Sequence, residues 1–92
     1  MNFTKLFAEF IGTFVFLFVI ITTGNAWLIG LTLALVIVVL GKFSGGHFNP
    51  AVTVMMVLGN KQPKADLVPY IIAQILGAVL ALQVYRMKLI RA

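Results

Sequence analysis

Chemistry in this chain is confined to a handful of side chains. Glu9 and Asp66 are the only carboxylates, His47 is the only imidazole, and there is no cysteine. A metal centre needs several His, Cys, Asp or Glu ligands converging on one point, and this set cannot supply them. No metal site, no catalysis and no cofactor are therefore expected. What remains is hydrogen bonding. Asn49 followed by Pro50 is a helix start: the Asn side-chain oxygen can accept from an orphan backbone N–H, and Pro tolerates the first helical position. With its oxygen so used, the Asn49 NH₂ is left to donate to a passing water or hydroxyl oxygen. His47 reads as a neutral, hydrogen-bonded loop residue. Glu9 lies within a long apolar run, where a charge is costly and must find donors. Either it accepts bonds from irregular backbone and His47, or it is the cation site of a proton-coupled transporter. Gln74, with donors and an acceptor in another apolar run, reads as a second brace.

The elements that must position these residues follow from the surrounding stretch, Ser44 to Thr53. A helix starting at Pro50 is stopped by Gly59, Asn60 and Pro63, so it runs over about 50–58. At 1.5 Å per residue that is roughly 12 to 14 Å, under half of a ~30 Å hydrocarbon core. Gly45 and Gly46 allow the preceding residues, Ser44 to Phe48, to run extended with their carbonyls open. Such backbone is tolerated at membrane depth only where it is buried in protein or lines a water-filled cavity. The stretch reads as a re-entrant pore loop, about 42–49, followed by a half-helix with its positive end at mid-membrane.

With 62% hydrophobic and 10% charged residues among 92, the composition excludes an ordinary soluble domain, in which about a quarter of residues are charged. Leu6 to Thr23 is apolar enough to span a bilayer with polar ends. The helix is expected over about 5–23; Glu9 inside it and no small-residue cleavage site after it argue against a secretory leader. A polar turn at Thr22 to Asn25 and an interfacial Trp27 precede a second span over about 26–41. A third, over about 66–86, is expected to be capped by Asp66. Ala73, Gly77 and Ala81, and likewise Ala8 and Gly12, recur at four-residue spacing as close-packing positions. The net charge of +5 comes from Lys and Arg flanking apolar runs, with Arg86, Lys88 and Arg91 as interfacial anchors. That pattern suits lipid headgroups and excludes a nucleic-acid face. The fold class is all-α membrane: three transmembrane helices plus one re-entrant half-helix, in a single domain over 1–92.

The stretch Ser44-Gly45-Gly46-His47-Phe48-Asn49-Pro50-Ala51-Val52-Thr53 resembles the signature loop of the major intrinsic protein family, the aquaporins and aquaglyceroporins, in the form found in their first half. Ala8-Glu9-Phe10-Ile11-Gly12-Thr13, Gly30-Leu31-Thr32 and Ile72-Ala73-Gln74-Ile75-Leu76-Gly77-Ala78 resemble the family's first three helices. The family normally carries two such halves of opposite orientation, and the sequence shows one. The resemblance implies a pore lined by Gly45, Gly46, His47, Phe48, Asn49, Pro50 and Ala51, with Glu9 and Gln74 bracing the loop. It also places Ile29 at a second-helix filter position where aromatics are common, and Val52 at a lining position that in the second half is typically Arg.

The reading is a passive channel for water or a small polyol such as glycerol, formed in the plasma or inner membrane. Its expected partner is a second copy in an antiparallel homodimer, with four such pores clustered as the family's tetramers suggest. Two other classes compete with it: a dual-topology, proton-coupled exporter using Glu9, and a non-conducting half that needs a separate partner half.

Overall fold

The computed structural model describes residues 2–87 of the chain; Lys88 and Arg91, expected above as anchors, lie outside them. Its elements are α1 (Phe3–Thr23), α2 (Ala26–Ser44), α3 (Pro50–Leu58), a 3-10 turn (Lys64–Asp66) and α4 (Leu67–Arg86). Among the described residues there is no strand, and α1, α2 and the last helix with its leading turn are long and apolar enough to cross a membrane. The long dimension, 44 Å, matches a bilayer including its headgroup regions, about 40–45 Å.

Each helix begins and ends where local chemistry dictates. Asn2 accepts from Thr4 N at 2.8 Å, so α1 starts two residues before the apolar run suggests. Asn25 accepts from Trp27 N and Leu28 N, both at 3.0 Å, and starts α2. That helix does not stop at Gly41. It continues through Gly41 to Ser44 and ends at Gly45, which takes the left-handed conformation (φ 91°) and donates its N–H to the Gly41 carbonyl. The expectation that Ser44 is extended is thus corrected, and the loop shortens to residues 45–49. Asp66 is corrected too. It adopts helical angles and makes no capping bond to α4, since its carboxylate is taken by Gln62 Nε2 at 2.6 Å and Lys5 Nζ at 3.5 Å.

Helix α1 is central, packed against α2 on one side and α4 on the other. Small residues set how close that packing is. A Cβ added to Gly77 would stand 2.7 Å from the Phe10 carbonyl oxygen and 3.0 Å from Phe14 N, so α1 and α4 meet backbone to backbone. Ala8, Ala73 and Ala81 are buried as well. The outward faces carry large apolar side chains, Val38 at 76% exposure and Leu31 at 57% among them. Lipid solvates such a surface at no cost, whereas water would not.

Candidate functional site

The connection between α2 and α3 returns to the middle of the bundle, and the Glu9 carboxylate fixes it there. Glu9 has no exposed surface. Its Oε2 accepts from Ser44 Oγ at 2.7 Å and His47 N at 3.1 Å, and its Oε1 accepts from Phe48 N at 2.8 Å and Gln74 Nε2 at 2.9 Å. Two donors on each oxygen fill the lone pairs of an ionised carboxylate. Consecutive amides, those of His47 and Phe48, turn toward one anion only if the backbone curls into a nest. Phe48 accordingly has a φ of 53°, in the left-handed region. Its ring is buried against Gly12, where any Cβ would strike it.

The rest of the brace adds Ser44, Thr53 and Tyr70, which sequence reasoning missed, to Gln74 and His47, which it named. Gln74 Nε2 also donates to Thr53 Oγ1 at 2.9 Å, and His47 Nδ1 pairs with the same hydroxyl at 2.8 Å. The His47 ring therefore bonds α3 and not Glu9, which takes only its backbone amide. Tyr70 donates its hydroxyl to the Ser44 carbonyl at 2.7 Å, and its ring lies 5.1 Å from that of His47. A signal for these existed: Tyr70 and Gln74 lie four apart on the face carrying Gly77 and Ala81, and Thr53 lies one turn after Asn49.

Asn49 accepts from Ala51 N at 2.8 Å and so caps α3, whose first helical residue is Pro50. Unlike the buried His47 and Phe48, the residues Gly45, Asn49, Pro50 and Ala51 are exposed, and Gly46 and Val52 are half-buried. The loop therefore presents backbone and the Asn49 amide outward and keeps its larger side chains inside. A cleft of about 230 Å³ at the N-terminus of α3 is bordered by Thr13, Phe16, Phe48, Asn49, Pro50 and Gln74. Thr13 Oγ1 and Gln74 Oε1, both buried, have no partner. Ile29 is not part of this cluster. It lies in the first turn of α2, fifteen residues or roughly 22 Å along the helix from Ser44. Among the described residues no group of three His, Cys, Asp or Glu could hold a metal ion.

Three apolar spans and a nine-residue helix, with the loop before it fixed by a buried carboxylate, define an all-α membrane architecture. The chain matches the family model for the major intrinsic proteins over residues 1–91 and belongs to that family, as an integral membrane protein. It is 46% identical over 86 residues to glycerol uptake facilitator protein-like 6 of Lactiplantibacillus plantarum, a match covering 84% of this chain and 40% of that protein. It is 38% identical over 92 residues to aquaporin Z of Photorhabdus laumondii, with the same two coverages. It is 41% identical over 96 residues to aquaglyceroporin-2 of Rhizophagus irregularis, covering 87% of this chain and 30% of that protein. The chain thus spans about 40% of the length of the first of these relatives. No solved structure matches it.

Proposed function

We propose that the chain forms one half of a passive channel for water and small uncharged solutes such as glycerol, completed by a second half in inverted orientation. The observation that carries this is the Asn49 cap: a nine-residue helix starts inside the bundle, and the amide that caps it is exposed. A solute oxygen would pass the loop carbonyls of Gly45, Gly46, His47 and Phe48, accept from the Asn49 NH₂, and slip between apolar walls that include Val52 and, farther out, Ile29. The positive ends of two half-helices meeting there would oppose cations and protons. The unpartnered Thr13 and Gln74 oxygens beside the α3 terminus support pairing, since a second half could bring donors to them. A second copy of this chain is the partner we propose, with four such pores clustering. The names of the relatives, which include both aquaporins and a glycerol facilitator, favour this solute class.

The four bonds at Glu9 weigh against the exporter reading, because they leave its carboxylate no free lone pair for a cation or a travelling proton. Stopped-flow light scattering of proteoliposomes holding only this chain tests the proposal. Faster shrinkage in sucrose than empty vesicles, and faster re-swelling in glycerol, is the expected outcome. Rates equal to empty vesicles at verified protein content would show that the chain alone does not conduct and needs a different second half.

A further inference from the structure

A long apolar groove lies away from the loop. Helices α1 and α4 touch at the Gly77–Phe10 crossing, and toward the Lys5 end they flank a groove of about 520 Å³ lined by Phe3, Phe7, Phe10, Pro69, Ile72 and Leu76. Its walls, Phe3 to Phe10 and Pro69 to Leu76, each extend about 10 Å along a helix axis. That is two thirds of the roughly 15 Å belonging to one leaflet of a ~30 Å core. A helix, about 10 Å across with its side chains, cannot follow this groove to the crossing at which the two backbones already touch. A single acyl chain can.

The polar end of the groove is basic. Lys64, in the turn that leads into α4, is exposed and, among the described residues, its side chain makes no ion pair or hydrogen bond. Lys5, beside Leu6, meets Asp66 at only 3.5 Å, and that carboxylate is more closely bonded to Gln62. Lys42 and Lys61 flank the same end of the bundle and add to its positive charge, which attracts anionic headgroups in whichever leaflet this end lies. We propose that this groove binds an anionic phospholipid, one acyl chain lying between α1 and α4 and the phosphate held at the level of Lys5 and Lys64. The apolar walls accept any lipid chain; the two lysines select the charge of the headgroup.

Native mass spectrometry of the delipidated full chain, titrated with phosphatidylglycerol and phosphatidylcholine, tests this. One phosphatidylglycerol per chain should be retained, preferred roughly thirtyfold, as expected for two lysines at headgroup level. Lys64→Gln should reduce the preference while leaving binding of both lipids. Ala73→Trp, which fills the groove, should remove the tightly held lipid of either kind. Equal retention of the two lipids by the unmodified chain, or an undiminished adduct in Ala73→Trp, would overturn the proposal. So would ready disulfide formation between Phe7→Cys and Ile72→Cys copies in phosphatidylglycerol vesicles, because it would put protein in the groove. Should Ala73→Trp fail to insert, phosphatidylglycerol with a photoreactive acyl chain decides on the unmodified protein. Labelling concentrated at Phe7 and Ile72 supports the groove; labelling spread evenly over the exposed face of α2 sinks it.

Discussion

Glu9 shows why one buried charge is tolerated here. An uncompensated carboxylate in an apolar bundle would be prohibitive, yet four donors meet this one, and two of them are backbone amides of the loop between α2 and α3, which no helix pairs. Replacing it with Gln opposes an NH₂ to one of those amides whichever way the side-chain amide is turned. Ser44 can rotate and Gln74 can flip, but the N–H groups of His47 and Phe48 cannot. A buried donor left unpaired costs about 1–3 kcal/mol, so Glu9→Gln should fold with a thermal midpoint several degrees lower. It should keep passive flux that is indifferent to a pH gradient; cation transport that depends on such a gradient in the native chain and vanishes in the variant would favour the exporter instead. Asn49→Ala acts at the other end of the loop. It removes the cap, worth about 1 kcal/mol, together with the outward NH₂, and should lower solute flux far more than it lowers protein in the membrane. Unchanged flux per molecule would remove Asn49 from the pore.

The helices were legible in the sequence because apolar runs bounded by Asn, Gly and Pro leave few alternatives, and the half-helix because Asn49-Pro50 and Gly59 bracket it. The interior polar network was less so. Thr53, Tyr70 and Ser44 are ordinary residues by type, and only the fold puts them around Gln74 and the loop; Asp66 looked like a cap because the sequence does not reveal that Gln62 and Lys5 compete for it. Close packing was legible as spacing but not as contact. Gly77 and Gly12 share the same pattern of small residues, yet one lies against the backbone of α1 and the other against the Phe48 ring. Their substitutions should therefore differ in kind. Gly77→Ala forces α1 and α4 apart along their length, an overpacking cost of about 1–3 kcal/mol, and should lower the thermal midpoint of the whole bundle. Gly12→Ala displaces a ring whose residue donates to Glu9, so it should reduce flux at a smaller cost in midpoint. Circular dichroism melts in detergent, set beside vesicle flux, separate the two; the same ratio of lost flux to lost stability in both variants would show that Phe48 does not transmit loop position.

For the whole molecule the open question is orientation. Three spans put the two ends of the chain on opposite sides of the membrane, and the basic residues divide almost evenly. Lys5, Lys42, Lys61 and Lys64 flank one side, while Arg86, Lys88 and Arg91 follow the last span. Loop Lys and Arg set topology through their imbalance, and four against three, with Asp66 beside the four, is little imbalance. Insertion in both orientations is what an inverted pair requires, because α3 spans only about 14 Å and two such helices end to end are needed to cover the ~30 Å core. The chain contains no native cysteine, so single Lys61→Cys and Met87→Cys variants, at exposed positions near opposite ends of the bundle, report orientation without background. In intact cells, a membrane-impermeant maleimide should label a substantial fraction of both variants, with the remainder reacting only after permeabilisation. If one position labels completely from outside and the other not at all, the chain inserts in a single orientation. The second half of the pore must then be a different polypeptide segment and not a copy of this one.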